Sequence, residues 1–198
     1  MVFVVLEGFS GTGKTTLAKA MERKGWVRLE ESAHAVPKEV PVADRADTFA
    51  DWSLVGATMV YSSLISRLRQ RRNIVSEGYL LSDLAYAKIR YELKKSTAYP
   101  AMMALCKKIL SDPIMRPDLY IVLQAGADTI DSRQRRKSNR ERNETEYFRK
   151  RYYSALSEMH EEIQQENIER IDTDYDRKAT LQKIMAVLNS RKLLGRRQ

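Results

Sequence analysis

Residues 8–15 of this 198-residue chain read Gly8-Phe9-Ser10-Gly11-Thr12-Gly13-Lys14-Thr15. The stretch satisfies the pattern G-x-x-x-x-G-K-[ST], whose glycines let successive backbone N–H groups point inward at phosphate oxygens. In this pattern the lysine neutralises the β- and γ-phosphates of a nucleoside triphosphate, and the hydroxyl that follows it is placed on Mg²⁺. We therefore expect ATP contacts from Gly8, Ser10, Gly11, Thr12, Gly13, Lys14, Thr15 and Thr16, with Thr15 as a metal ligand.

The segments on either side of this stretch support the interpretation. Residues 2–6 form a β-branched and aromatic run that predicts a strand buried on both faces. Residues 14–24 are good helix formers, and Gly25 stands where a helix C-cap is expected. A glycine-rich turn that contains a lysine by accident is the alternative, but it does not require a strand before it and a helix after it.

Further strands and helices alternate along the rest of the chain. Short apolar runs predict strands at residues 26–30, 73–77, 118–124 and 168–172. Helices are predicted at residues 49–72, 82–95 and 100–110, with Ser82 as a possible N-cap, and residues 31–47 are predicted to form a loop. This alternation implies crossover connections and a three-layer α/β domain with a five-stranded parallel sheet flanked by helices. With no internal repeat and no linker, residues 1–198 are expected to form one domain.

Composition excludes several classes of protein. Lys and Arg number 35 against 26 Asp and Glu, which gives a formal net charge of +9, and 43% of the residues are hydrophobic. This apolar content is too high for a disordered chain. Cys106 is the one cysteine, which excludes an intrachain disulfide, and with His34 and His160 it cannot form a Cys/His zinc site. The apolar start at residues 1–6 is too short for a signal peptide or a membrane span, so we expect a cytoplasmic protein without a membrane partner.

A second motif follows the predicted third strand, where the chain reads Glu77-Gly78-Tyr79-Leu80-Leu81-Ser82-Asp83-Leu84-Ala85-Tyr86-Ala87. It resembles the thymidylate kinase pattern D-R-[YWH]-x-x-S-x-x-A-Y-Q, and the matching positions are Glu77, Tyr79, Ser82, Ala85 and Tyr86. The resemblance extends to Leu6-Glu7-Gly8, to Pro117-Asp118-Leu119 and to Ile171-Asp172. It implies a P-loop NTPase fold and an ATP- and Mg²⁺-dependent kinase of a nucleoside monophosphate, with dTMP as one candidate acceptor.

The resemblance also implies roles for individual residues. Glu77 becomes a catalytic residue and a magnesium ligand, since a carboxylate at a strand end can hold a magnesium-bound water or orient the acceptor. Tyr79 and Tyr86 are expected on the acceptor side, within residues 30–99, and Asp172 follows the strand whose loop approaches the adenine. Members of the family are commonly homodimers, which makes a homodimer possible here.

Two departures from that pattern leave the acceptor open. Gly78 stands where the family has an arginine that contacts the substrate phosphate, and Ala87 stands where it often has glutamine. Related deoxynucleoside kinases carry a glutamate after the second strand that serves as base for a sugar hydroxyl, and Glu30 or Glu31 falls near that place. A nucleoside or another small hydroxylated molecule is thus the alternative acceptor. Glu30 and Glu31 would otherwise be solvated charges at a strand end.

A basic segment at residues 133–146 resembles the helical lid that closes over the phosphates in these kinases. Arginine suits that role because its planar fork binds phosphate oxygens in pairs and stays charged. The best candidates for catalytic arginines are Arg133, Arg136 and Arg140. A solvated helical face is the alternative.

Two further alternatives concern aromatic residues and the net charge. Trp52 is a candidate for stacking on the acceptor base, although its place on an apolar helical stripe is equally typical of core packing. The charge of +9 also suits a non-enzymatic nucleic-acid binder, which would show salt-dependent binding and no ADP release. We expect no nucleic-acid partner, because the sequence contains no zinc-finger or RNA-binding aromatic motif.

Overall fold

Five parallel strands form the centre of the computed structural model, which describes residues 1–42, 45–134, 146–174 and 176–194. The strand order is β2-β3-β1-β4-β5, so the strand before the phosphate-binding loop lies in the middle of the sheet. The strands are β1 (Phe3–Glu7), β2 (Val27–Leu29), β3 (Ile74–Glu77), β4 (Leu119–Gln124) and β5 (Ile168–Asp172). The predicted α/β class with a five-stranded parallel sheet is confirmed.

Helices cover both faces of this sheet. The described helices are α1 (Lys14–Glu22), α2 (Ser32–Ala35), α3 (Thr48–Leu68), α4 (Leu80–Glu92), α5 (Tyr99–Leu110), α6 (Ala127–Gln134), α7 (Glu146–Glu162) and α8 (Arg177–Ser190). In the part of the chain that the structure describes, no helix is long and apolar enough to cross a membrane.

The core has two layers because successive residues of a strand point to opposite faces of the sheet. Phe3 and Val5 of β1 belong to a cluster that includes buried residues of α4, α5 and α7. Val4 and Leu6 belong to a second cluster, on the face covered by α1 and α8. All five residues of β1 are buried, as its unbroken apolar run predicts. The loop that follows β1 is therefore anchored at the buried centre of the sheet.

Two local predictions are wrong. Residues 31–47 were predicted as a loop, yet Ser32–Ala35 form one helical turn, α2. Ser82 is not an N-cap, because α4 begins at Leu80 and its N-cap position is Tyr79. The hydroxyl of Ser82 is buried and donates instead to the carboxylate of Glu7.

Candidate active site

The phosphate-binding loop joins the end of β1 to the start of α1 and closes tightly on itself. Gly8 has φ 147°, and a Cβ at this position would lie 2.7 Å from the Leu123 carbonyl oxygen. Only glycine therefore fits at Gly8 without displacing β4. The Thr12 hydroxyl donates to the Phe9 carbonyl at 2.8 Å, which holds the turn in shape. Gly13, the N-cap residue of α1, provides no side-chain cap, and residues 13–16 at the start of this helix line the cavity described next.

A cavity of about 350 Å³ lies beside this loop. Its size is in the range of small-molecule binding sites. The Lys14 side chain is buried along its wall, and its Nζ donates to the Gly8 carbonyl oxygen at 2.6 Å. Besides Lys14, the lining residues are Gly11, Thr12, Gly13, Thr15, Thr16, Leu17, Glu31, Arg133, Thr173, Arg177 and Thr180. The structure thus brings the predicted ATP residues from Gly11 to Thr16 together in one site, while Gly8 and Ser10 shape the loop behind it.

Thr15 and Glu77 meet at one edge of the cavity. The Thr15 hydroxyl donates to Oε2 of Glu77, and Arg28 Nε donates to Oε1 of the same carboxylate. Glu77 is fully buried at the end of β3. A hydroxyl and a carboxylate are the oxygen ligands that Mg²⁺ prefers, so the two residues fit a magnesium ion bound beside the phosphates.

The two candidate bases occupy different positions. Glu31 lines the cavity, and its Oε1 lies 3.8 Å from Lys14 Nζ. Glu30 points away, with half of its side chain exposed and ion pairs to Arg28 at 3.0 Å and to His34 at 3.9 Å. The structure therefore brings Glu31, and not Glu30, to the loop.

A second, small cavity of about 10 Å³ adjoins the first across Glu31. The side chains around it leave little empty space. The lining residues are Glu31, Ser32, Thr58, Tyr61, Glu77, Gly78, Tyr79, Ser82 and Asp83. The Asp83 carboxylate accepts hydrogen bonds from Ser32 at 2.9 Å and from Thr58 at 2.6 Å, so it ties α2 and α3 to α4. Burial raises the pKa of Asp83 to about 7, against the opposite effect of these two hydrogen bonds.

A further carboxyl group lies beneath the loop. Glu7 is fully buried at the end of β1, and burial raises its pKa well above the usual range although the Lys14 ammonium group opposes the shift. Its Oε2 accepts the hydrogen bond from Ser82. The loop is thereby connected from below to the first turn of α4, which carries the acceptor-side motif.

The described residues of the basic segment that is predicted to form a lid lie against the loop. Arg133, at the end of α6, donates to the Gly11 carbonyl at 3.3 Å and to the Thr173 carbonyl at 2.7 Å. The neighbouring Gln134 donates to the Ser10 carbonyl at 3.1 Å. Of the three predicted catalytic arginines, Arg133 lines the cavity, whereas Arg136 and Arg140 lie outside the described residues.

Three other predicted residues lie outside the described linings of both cavities. Trp52 is on the outer face of α3 and is 42% exposed. Tyr86 is partly buried and packs against the core, with its ring centroid 5.0 Å from that of Tyr152 and 6.4 Å from that of Phe148. Asp172 is exposed and accepts from the backbone of Asp174 at 2.8 Å. Tyr79 lines the small cavity, but its hydroxyl group is hydrogen-bonded to the Ser62 hydroxyl at 2.8 Å.

Several residues at the site were not predicted from the sequence. They are Arg28, Asp83, Thr173, Arg177 and Thr180. Thr173 could have been found, since it directly follows Asp172 at the end of the last strand. For Arg28, the one sequence feature that could have indicated a role at the site is its charge in the middle of the short strand β2. A charged residue is equally typical of an edge strand that faces water.

The strand, loop and helix arrangement, with Lys14 in the loop and Glu77 facing Thr15, defines a P-loop kinase. The model of the deoxynucleoside kinase family matches residues 4–191, and the chain belongs to this family. The protein is therefore an ATP-dependent nucleoside or nucleotide kinase, that is, a phosphotransferase.

Solved structures with the same fold come from two kinds of kinase. A deoxyadenosine kinase from M. mycoides with bound dCTP is 19% identical with a TM-score of 0.68, and the match covers 96% of this chain and all of that one. Thymidylate kinase from Candida albicans is 17% identical with a TM-score of 0.73, over 96% of this chain and 92% of that one. A comparison with curated protein sequences gave no significant match. At these identities the two structures establish the fold alone.

Proposed function

We propose that the protein transfers the γ-phosphoryl group of ATP to a hydroxyl group of a nucleoside, with Glu31 as the general base. The observation that carries this proposal is the position of Glu31, which forms part of the wall of both cavities. A hydroxyl acceptor must lose its proton during the transfer, and a carboxylate within reach lowers the barrier. A monophosphate acceptor is already ionised and needs no such base.

The backbone at Gly78 supports the same choice of acceptor. An arginine at this position would contact an acceptor phosphate, but Gly78 has φ +73°, a conformation that favours glycine. A Cβ here would also lie 3.0 Å from the Ser82 hydroxyl oxygen. The family match and the resemblance to a deoxyadenosine kinase favour the nucleoside over the nucleoside monophosphate that the acceptor motif first indicated.

On the donor side the chain supplies positive charge and oxygen ligands. Lys14 neutralises the β- and γ-phosphates, and Thr15 and Glu77 are the residues that would hold Mg²⁺. When bound, this ion offsets negative charge on the phosphates during transfer. Arg133 lies against the loop and is placed to contact a nucleotide in the cavity. Positioning and charge neutralisation therefore account for most of the expected catalytic effect.

The experiment that tests this function measures ADP release from Mg-ATP with a panel of nucleosides and the corresponding monophosphates, dTMP included. We expect turnover with one or more nucleosides. Turnover with monophosphates alone would contradict the proposal and restore the first prediction from the acceptor motif. Silence across the panel would point to a hydroxylated acceptor that is not a nucleoside.

Two variants test the role of Glu31. Glu31→Gln keeps the size of the side chain but removes its basicity, so it should lower kcat at least about 100-fold, the usual contribution of a general base. Glu39→Gln is the matched control, since it changes an exposed carboxylate outside the described linings of both cavities, and it should keep kcat within a few-fold of the wild type. Equal losses in the two variants would remove Glu31 as the base.

We also propose that a second copy of the chain packs on the outer face of α3. Apolar side chains are exposed there from Phe49 to Leu64, and Gly56 lies open between them. The exposed positions from 49 to 64 carry no charge, and they are Phe49, Trp52, Gly56, Met59, Val60, Ser63 and Leu64. Two chains of net charge +9 repel each other, so an uncharged apolar face is the place where they can meet.

The single domain over residues 1–198 and the cytoplasmic location stay predictions from the sequence.

A further inference from the structure

The guanidinium group of Arg28 is buried beside the donor site. Arg28 is the middle residue of β2, an edge strand, and yet its side chain is only 8% exposed. A buried charge requires a partner of opposite sign, because its desolvation is otherwise costly. Arg28 has two such partners, Glu77 through Nε and Glu30 through Nη2 at 3.0 Å.

The contacts of Glu77 are divided between its two oxygens. Oε1 accepts from Arg28, and Oε2 accepts from the Thr15 hydroxyl. A carboxylate fixed at one oxygen can turn only about the axis that this contact leaves free. Arg28 therefore fixes the orientation of the Glu77 carboxylate, whose other oxygen faces Thr15 at the phosphate-binding loop.

The guanidinium group that contacts Glu77 comes from a neighbouring strand. The residue directly after Glu77 is Gly78, where the φ of +73° and the 3.0 Å approach to Ser82 disfavour any side chain. Arg28 and Val75 are register partners in the ladder between β2 and β3. The neighbouring strand thus delivers a guanidinium to Glu77 that the local sequence after Glu77 does not provide.

We propose that Arg28 is the positioning residue of the donor site, which holds the Glu77 carboxylate in the orientation that Mg-nucleotide binding requires. The inference rests on the proposed function, because it takes Thr15 and Glu77 as the residues that would hold Mg²⁺. Arg28 lies outside the described linings of both cavities and therefore acts through Glu77. Residues that orient a metal ligand in this way typically change metal affinity by about 10–100-fold when they are replaced.

The test is binding of ADP by calorimetry, once with Mg²⁺ and once with EDTA, in the absence of any acceptor. Arg28→Met keeps the apolar stem and removes the charge and the donors. It should weaken ADP binding about 10–100-fold with Mg²⁺ and by less than about 3-fold with EDTA. The matched control is Arg69→Met, which breaks the ion pair of Arg69 with Asp118 at 2.7 Å, outside both cavities. The control should lower Tm without changing the effect of Mg²⁺ on binding.

A double-mutant cycle with Glu77→Gln separates positioning from a purely structural ion pair. If Arg28 acts through Glu77, Arg28→Met should have almost no further effect on Mg²⁺-dependent binding when Glu77 is already glutamine. Should Arg28→Met fail to fold, Arg28→Lys decides, because it keeps the charge and loses the Nε donor. Its Mg²⁺-dependent affinity should then fall between those of the wild type and Glu77→Gln.

Three results would overturn the proposal. The first is ADP binding at wild-type affinity by Arg28→Met or, where that variant does not fold, by Arg28→Lys. The second is an equal loss of affinity with Mg²⁺ and with EDTA. The third is additivity of the two substitutions in the double-mutant cycle. None of them involves an acceptor. Failure of the proposed function would instead appear as wild-type protein that binds Mg-ADP but phosphorylates no nucleoside, so the two failures are distinguishable.

Discussion

Lys14 is the residue whose charge the donor site can least replace. Its Nζ bonds the Gly8 carbonyl at 2.6 Å and lies beside the cavity, where the β- and γ-phosphates are expected. Lys14→Met keeps the buried stem and removes the charge, so ADP release should fall at least about 1,000-fold, in the range that cationic stabilisation of phosphoryl transfer provides. Lys19→Met, an exposed change on the same helix, is the control and should keep full activity. Retained turnover in Lys14→Met would exclude this cavity as the donor site.

Asp83 gives the protein a pH dependence of stability with a definite sign. Burial raises its pKa from 3.8 to about 7, so between about pH 4 and pH 7 the folded protein binds more protons at this carboxyl than the unfolded chain. The protonated Asp83 carboxyl therefore contributes to the stability of the folded protein below pH 4, and this stabilisation is lost as the pH rises through 7. Asp83→Asn should abolish it, and a shift of this size corresponds to a few kcal/mol.

The measurement for Asp83 is the difference in unfolding free energy between wild type and Asp83→Asn across this pH range. A difference is needed because His160 acts in the opposite direction. Burial lowers the pKa of His160 from 6.5 to about 4, so its contribution to stability grows with pH over that interval. His160 is present in both proteins and cancels. A difference that does not vary with pH would show that the pKa of Asp83 is the same in the folded and unfolded protein.

The residues that sequence reasoning located and those it missed differ in how far apart their partners are in the chain. Lys14 and Thr15 belong to one local turn whose spacing is fixed by the phosphate groups, and Glu77 ends a strand that the apolar pattern predicts. Arg28 acts on Glu77 across 49 residues, and Thr58 bonds Asp83 across 25. Such pairs depend on which strands and helices become neighbours, and no spacing within a single segment records that.

At the scale of elements, a buried ion pair joins α3 to α4. Arg90 of α4 donates through Nε to Asp51 of α3 at 3.0 Å, and both side chains are almost completely excluded from solvent. Removal of one partner leaves a buried charge without the carboxylate that faces it, so Asp51→Ala should reduce the free energy of unfolding by about 3–5 kcal/mol.

Urea denaturation measures this loss, as a lower midpoint with an unchanged slope. The comparison variant is Lys107→Ala, which removes the ion pair of Lys107 with Glu162 between α5 and α7, where both side chains are about half exposed. Solvent screens that pair, so its loss should be under about 1 kcal/mol. Similar losses in the two variants would mean that burial does not govern the strength of these contacts.

The difference between patterns within one segment and contacts between distant segments also explains which predictions of helices and strands were correct. Strand positions and the long helix α3 follow from apolar periodicity, which burial imposes directly on the sequence. Ser82 was wrongly expected to cap a helix because a serine near a helix start satisfies the local rule. Its hydroxyl is buried against Glu7, and this contact between α4 and β1 outweighs the local preference. Tyr86 also matches a motif position. Its ring packs against other protein groups instead, with the Arg90 guanidinium group 5.7 Å from the ring centroid.

At the scale of the whole molecule, the exposed face of α3 is at variance with the rest of a strongly basic surface. Phe49 is 68% exposed and Val60 is 61% exposed, although the opposite face of the same helix buries Leu54 and Ile65. An amphipathic helix that exposes apolar residues on its outer face leaves surface that association can remove from water. A closed two-fold dimer brings the same face of both chains together and satisfies this need without leaving an open end.

Sedimentation velocity tests the dimer directly. The wild-type protein should sediment at twice the chain mass of 22.9 kDa, and Val60→Asp should sediment as a monomer, because two carboxylates would have to be buried in the symmetric contact. Ile114→Asp is the matched control, since Ile114 is 46% exposed outside α3, and this variant should remain a dimer. If Val60→Asp is also a dimer, the chains meet on another surface. A monomeric wild type would show that the α3 face is left open to water, and the proposed second copy would then be wrong.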